Sequence, residues 1–312
     1  MTKVMTSPDG TPASRLAFGT MQFGGRANET ASRAMFEAAV AAGVNHFDTA
    51  YVYNDGASET LLGSMPGDRR DGLIIATKAA YTGGGTRDNI LTSFDISRKR
   101  LGMDTVDLLY MHRFDPDTDL HETMEALAEL REAGKIRYVG VSNYAAWQVV
   151  KAICVAAKFG ITVDILQPMY NLVKRQAEVE ILPMCADMGV ACAPYSPLGG
   201  GLLTGKYAAG DAGRLTEDDR YAARYGPGWM HEAAKGLSAI AKETGTPAAT
   251  LAVAWAARHP MGPTPIISAR SAEQLAPSLD AMTFEMDDAL YARLSALSPT
   301  PPPATDRLEE QE

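Results

Sequence analysis

Residues 44–53 read VNHFDTAYVY. Val44 to Phe47 have the make-up of a short buried strand, and Asp48 stands where that strand gives out into a loop. Tyr53 follows five residues on. A carboxylate at a strand's C-terminal end, with a tyrosine in the loop behind it, is where a parallel α/β protein keeps its chemistry. Taken alone, the pair suits equally well a turn-forming Asp and a packing Tyr. What decides the reading is whether a strand ending in a polar residue recurs along the chain.

It occurs eight times in all. Short apolar runs predict strands near 16–20, 44–48, 73–77, 106–111, 137–141, 163–167, 190–194 and 265–268. Helical patterns lie over 29–42, 58–63, 87–101, 119–133, 144–159, 175–188, 231–244 and 247–258. In 119–133, Leu120, Met124, Leu127 and Leu130 share one face, while Glu122, Glu125, Glu129 and Arg131 take the other. Eight such strands alternating with helices predict an α/β chain folded as a (β/α)8 TIM barrel. The rival is a doubly wound open sheet. Against it, no GxGxxG follows the first strand, and Gly19 and Gly24 are followed by Gly-Arg where a Walker loop needs Lys-Ser/Thr.

Before the repeat begins, Pro8-Asp9-Gly10 signals a β-hairpin. After strand seven, residues 198–230 form a long loop rich in Gly, Asp, Arg and Tyr. The tail from Ser298 is Pro-rich, then charged, and is expected to be disordered. No internal boundary separates two domains, so 1–297 is expected to be one barrel and 298–312 a tail.

The 312 residues are 46% hydrophobic with a formal charge of −9 and no basic run, which argues against nucleic acid as a partner. No stretch is apolar enough for a membrane span, and the start MTKVMTSPDG has no signal-like apolar core. Cys154, Cys185 and Cys192 form no CxxC. Buried free thiols in a cytoplasmic protein are expected. Nothing in the sequence fixes the oligomeric state.

The C-terminal strand ends of a barrel converge on one rim. There the sequence sets Asp48, Lys78, His112, Ser142 with Asn143, Gln167, Tyr195 with Ser196, and Ser268. Lys78 could be a solvated lysine, His112 a core histidine and Asn143 a helix cap, but that many coincidences on one rim are improbable. A nearby Lys78 ammonium would favour the Tyr53 phenolate and lower its pKa, with Asp48 holding the lysine charged. His112 could orient a carbonyl oxygen. No paired carboxylates, metal-ligand cluster or GxSxG elbow competes. Proton transfer to a carbonyl oxygen then needs a separate hydride donor, which points to a nicotinamide.

The chain resembles the aldo-keto reductases from the Gly19 strand to about residue 280. The pieces that carry the resemblance are FDTAYVY, ATK (76–78), YMHRFD (110–115), GVSNY (140–144), QPMYNL (167–172), YSPLGGGLLTGKY (195–207) and IISARSAEQL (266–275). Within the family, the chain is most similar to the aflatoxin-aldehyde and succinic-semialdehyde reductase branch.

The resemblance implies NADPH-dependent carbonyl reduction by a catalytic Asp48, Tyr53, Lys78 and His112, and reads the N-terminal hairpin as a plug. It implies that Ser142, Asn143 and Gln167 hold the nicotinamide carboxamide, that Tyr195 stacks on the ring, and that Ser196, Leu198 and Gly200 line the pyrophosphate path. Gly19, Thr20, Met21, Asp48, Lys206, Ser268 and Gln274 are carried over as further cofactor contacts. Arg270 is placed at the adenosine 2′-phosphate, and Arg224 at a phosphate or a substrate carboxylate under a lid spanning 211–230. Ser278 stands where the family has an adenine-holding asparagine, and Pro277 is expected to disturb the start of that helix. The alternative implied is a cofactor-binding regulatory subunit like the potassium-channel β-subunits.

Overall fold

The computed structural model describes residues 4–209 and 213–310. Eight parallel strands form one sheet: β1 Ala17–Gly19, β2 His46–Asp48, β3 Ile74–Ala79, β4 Val106–Met111, β5 Ile136–Ser142, β6 Ile165–Gln167, β7 Ala191–Cys192 and β8 Ile266–Ile267. The hydrogen-bonded order is β7-β6-β5-β4-β3-β2-β1-β8. Just past β7, Tyr195 bridges Ile266 in parallel, and Thr264 and Ile266 donate to the carbonyls of Cys192 and Pro194 at 2.8 Å each. The two end strands therefore meet. Eight parallel strands with helices between them make this an α/β chain of the (β/α)8 kind.

The intervening helices are α1 Glu29–Ala41, α2 Ala57–Gly63, α3 Arg87–Leu101, α4 Leu120–Glu132, α5 Ala146–Ala156 and α6 Ile181–Met188. Beyond β7 come α7 Arg214–Glu217, α8 Asp219–Tyr225, α9 Gly228–Thr244 and α10 Ala248–Arg258, then α11 Ala272–Leu279 and α12 Asp288–Ser295 after β8. Local chemistry sets their starts: the side chains of Asn28, Thr86, Asp119 and Asp287 accept the first free N–H groups of α1, α3, α4 and α12. The sequence periodicity missed α7, α8, α11 and α12, each of which is too short to show much more than two turns of pattern.

Alternation of side chains divides the apolar residues into two clusters. The large one lies between strands and helices, with Phe18, Phe47, Leu109 and Trp255 fully buried. The small one fills the inside of the ring with Ala17, Ile74, Ala76, Leu108, Tyr110, Ile165, Ala193 and Ile266, and Met5 joins it. In place of a laddered hairpin the N-terminus makes one antiparallel bridge, Thr6 to Pro12, around the turn at 8–10. Pro277 does not disturb the start of its helix: it is the sixth residue of α11, which runs on to Leu279. One cysteine departs from expectation. Cys185 and Cys192 are buried and free, but Cys154 is exposed, because it falls on the solvent side of α5.

Candidate active site

Asp48 closes β2 and Lys78 is the fifth residue of β3, where Asp48 pairs in register with Ala76. Lys78 follows Ile74 and Ala76 at period two, so it faces the inside of the ring. Both side chains are buried. The Lys78 ammonium donates to Asp48 Oδ1, to the Thr49 carbonyl at 2.8 Å and, more loosely, to Tyr53 Oη at 3.5 Å. The other Asp48 oxygen accepts from Gln167 Nε2 at 3.0 Å.

Tyr53 is aimed by its backbone. The Tyr51 N–H donates to the Lys78 carbonyl at 3.1 Å and the Tyr53 N–H to Ala50 at 3.0 Å. Next, Asn54 and Asp55 take left-handed φ values of 49° and 53°, which these residue types tolerate. The Asn54 amide ties the turn to the loop after β1, donating to the carbonyls of Met21 and Phe23 at 2.9 and 2.7 Å.

The electrostatics partly reverse the expectation for Tyr53. Burial pushes its pKa up; Lys78 pulls it down but does not win, so the phenol is less acidic than free tyrosine. The expected lowering is present as a contribution and not as the outcome. For Lys78, burial opposes the charge, and Asp48 and Tyr53 outweigh it, raising its pKa. The pair is thus a protonated phenol beside a fixed ammonium, able to give up a proton to something more basic while Lys78 stabilises the phenolate left behind.

His112 follows β4, its N–H donating to Ala79 at 2.9 Å and its carbonyl accepting from Asn143 Nδ2 at 3.0 Å. Its ring stands edge-on to Tyr53, centroids 5.9 Å apart. Burial, followed by the Lys78 and Arg113 cations, lowers its pKa to about 3, so the imidazole is neutral near pH 7 and able to donate a hydrogen bond. Asn143 is not the helix cap. Position 145 fills that role with its N–H bonded to Gln148 Oε1, while Asn143 sits at φ 58°. Its side chain accepts from the Tyr195 hydroxyl at 2.7 Å. Ser142 Oγ donates to the Gln167 carbonyl at 3.0 Å. One bonded array therefore runs from Lys78 and Asp48 through Gln167, Ser142 and Asn143 to Tyr195.

The remaining expected contacts lie on the β7–β8–β1 side. Gly19 ends β1, and Thr20 Oγ1 donates to the Asp48 carbonyl at 3.2 Å and meets Ser58 Oγ at 2.8 Å, so Thr20 supports the catalytic strand from behind. The Ser196 carbonyl accepts from Asn171 at 2.8 Å. Leu198 packs on the outer core. Gly199, Gly200 and Gly201 all have positive φ, and a Cβ at Gly200 would lie 2.8 Å from the Tyr221 ring. Lys206 lies 4.9 Å over the Tyr207 ring. Ser268 Oγ, past β8, is buried without a hydrogen-bond partner among the described residues. Gln274 Oε1 accepts from the Arg270 N–H at 2.8 Å. Ser278 is buried in α11. A run of left-handed glycines and an orphaned buried hydroxyl on one side of the array suit a phosphate-bearing cofactor.

Tyr81 and Glu217 are not singled out in the sequence. The Tyr81 ring lies 4.8 Å from the His112 ring, with the Arg113 guanidinium 5.0 Å over it. Glu217, on α7, accepts from Arg26 at 2.7 Å and from Arg270 at 3.2 Å. Arg224 sits 5.3 Å over the Tyr221 ring and helps to offset the burial that raises Tyr195 to about 12. Of the loop residues, Arg214 lies on α7, Arg220, Tyr221 and Tyr225 on α8, and Trp229 at the start of the long α9; Asp211 lies outside the described residues.

The sequence pattern described as "Aldo/keto reductase family" matches residues 15–299. Among curated relatives, the uncharacterized oxidoreductase YrpG of Bacillus subtilis (strain 168) is 33% identical over 94% of each chain. A probable voltage-gated potassium channel subunit beta of Oryza sativa subsp. japonica is 33% identical over 88% of each. Aflatoxin B1 aldehyde reductase member 2 of Rattus norvegicus is 38% identical over 68% of this chain and 58% of its own.

Proposed function

The chain belongs to the aldo/keto reductase family, and from that premise we propose that it reduces small aldehydes or ketones to alcohols with NADPH, using Tyr53 as the proton donor. Family membership carries the reaction class and a nicotinamide cofactor. The observation that carries the residue roles is the Lys78 ammonium bonded at once to Asp48 and Tyr53, with a neutral His112 beside the phenol.

In this reading His112 donates a hydrogen bond to the carbonyl oxygen and orients it towards the Tyr53 hydroxyl. Tyr53 transfers its proton to that oxygen, and Lys78, held charged by Asp48, stabilises the phenolate. The bound cofactor supplies the hydride. Ser142, Asn143 and Gln167 present the polar groups that would fix its carboxamide, and Tyr195 offers a ring to stack on. Gly199–Gly201, Ser196, Leu198, Lys206 and Ser268 would flank its phosphates.

Arg270 supports the choice of NADPH over NADH, because a guanidinium recognises a phosphate through paired hydrogen bonds. We read α7 and α8 as a cover: Glu217 ties them to Arg26 and Arg270, and Tyr221 rests over Gly200. The Thr6–Pro12 turn, with Met5 inside the ring, is read as the plug. A channel-subunit role, as in the name of the rice relative, is less well supported, since Lys78 is bonded to both Asp48 and Tyr53 and His112 stands edge-on to Tyr53. The test is Tyr53→Phe: cofactor affinity by fluorescence is kept, while kcat falls roughly 10²–10⁴-fold. Full turnover by that variant would remove the mechanism.

A further inference from the structure

Beneath the Lys78 ammonium lies a side chain that the mechanism leaves unused. Tyr110 is the fifth of the six residues of β4, in register with Lys78 on one side and Gly140 on the other. It is completely buried. A Cβ built on Gly140 would fall 2.4 Å from Tyr110 Cδ1 and 2.6 Å from Cε1, so the ring lies where a side chain at 140 would otherwise be. Its partners inside the ring include the small Ala17, Ala76 and Ala193, with Ile74, Leu108, Ile165 and Ile266 completing the layer. The large Tyr110 ring thus lies among small neighbours at Ala17, Ala76, Ala193 and Gly140. The Lys78 Nζ stands 5.8 Å from its centroid.

We propose that Tyr110 is a positioning residue for the reaction: its ring is the floor that keeps Lys78 extended towards Tyr53, and Gly140 is what lets the ring lie there. The inference rests on Tyr53 being the proton donor. An ammonium inside the ring needs partners on every side, and with a smaller residue at 110 water would supply them from below. Such water would screen Lys78 from both Asp48 and Tyr53 and would let the lysine stem relax downwards. An aromatic face excludes that water and adds a weak cation–π attraction at the outer limit of its range. The ammonium is left with Asp48, the Thr49 carbonyl and Tyr53. Tyr110 is not itself a second acid, because burial and then Asp48 push its pKa far up. The Gln167 side chain acts on its hydroxyl; the role is assigned to the ring, which Tyr110→Phe keeps.

The experiment compares Tyr110→Phe, Tyr110→Leu and Gly140→Ala with the parent in kcat, aldehyde KM, the pH profile of reduction, cofactor binding by fluorescence, and Tm. Tyr110→Phe keeps the floor and is expected to stay within about threefold of the parent in kcat with an unchanged profile. Tyr110→Leu removes it. A lysine displaced by about an ångström is expected to lower kcat roughly 10- to 100-fold with little change in aldehyde KM. With the Lys78 attraction weakened, the Tyr53 pKa rises, so the alkaline limb of reduction moves to higher pH. Gly140→Ala, which pushes the ring off its seat, moves both quantities the same way; the Phe and Leu pair decides the matter if that variant does not fold. A Leu variant with the parent's kcat and pH profile, and only a lower Tm, would make Tyr110 an ordinary core residue and overturn the inference. So would a Phe variant as impaired as the Leu one. A parent enzyme that reduces no aldehyde would instead remove the functional reading on which the inference stands.

Discussion

Lys78 and Asp48 meet inside the strand ring with side chains 0% and 4% exposed, whereas Glu217 meets Arg26 and Arg270 on the rim with all three between 35% and 44% exposed. The two sets of ion pairs hold two halves of one site. The inner pair is fixed by neighbouring strands, shielded from salt, and costly to break because either partner left alone is a buried bare charge. Each outer pair is worth about 0–1 kcal/mol and weakens with ionic strength. The groups proposed to move a proton are therefore held rigidly, while the proposed cover is held by contacts that open at little cost.

The largest effect should come from breaking the inner pair. Lys78→Met strands Asp48, with a stability loss of about 3–5 kcal/mol by denaturant unfolding and a turnover loss of roughly 10²–10⁴-fold. A variant as stable as the parent would mean that Asp48 finds another partner. Next, Arg270→Ala should weaken NADPH roughly 10- to 100-fold while leaving NADH untouched, measured by fluorescence titration of each. Equal losses for both cofactors would place Arg270 on the cover alone.

A third prediction concerns acid. Burial first, and then the Lys78 cation against the partial help of Asp48, lowers His46 to about 4, and His112 stands near 3. Both folded values lie below the ordinary 6.5, so the unfolded chain binds more protons between them, and stability falls as pH drops from about 6.5 towards 4. Each group contributes a slope of about 1.4 kcal/mol per pH unit at most. His46→Leu should flatten the decline in Tm across that window, and a decline of undiminished slope would refute it. Smallest of all is the outer latch. Glu217→Gln should cost less than about 1 kcal/mol of stability yet raise protease cleavage within 213–225, with salt closing the gap between variant and parent. Equal cleavage at low salt would show that the latch does not hold the cover.

The two halves also differed in how far the sequence revealed them. Strand-end residues were legible because burial imposes a periodic signal: Asp48, Lys78, His112, Ser142 and Gln167 each stand at the end of an apolar run, and the structure brings them together. Even there the sign of a competition was hidden, since only the packing shows that burial outweighs Lys78 at Tyr53. Asn143 could be a cap and is assigned to the cofactor by resemblance; its left-handed backbone turns the side chain to His112 and Tyr195. The cover was harder. Glu217, Asp218 and Asp219 are adjacent acids, and nothing in their order says that one of them reaches two arginines about 190 and 50 residues away. Tyr110 read as one more apolar residue of VDLLYM, and its role depends on a glycine in the next strand.

The meeting of the first and last strands has a consequence for how the chain is made. Ala17 and Phe18 pair with Ile266 and Ile267, so residues emerging early from the ribosome wait for a partner nearly the whole length of the chain away. Until it arrives, β1 and β7 each present an open edge of unpaired backbone groups, a template for association with other chains. Contacts of such long sequence separation also slow folding. A polypeptide halted before Pro265 would hold Asp48, Tyr53, Lys78 and His112 in full and still lack the strand that hides those edges. Premature termination should therefore appear in cells as aggregation or chaperone retention, and not as a smaller working enzyme.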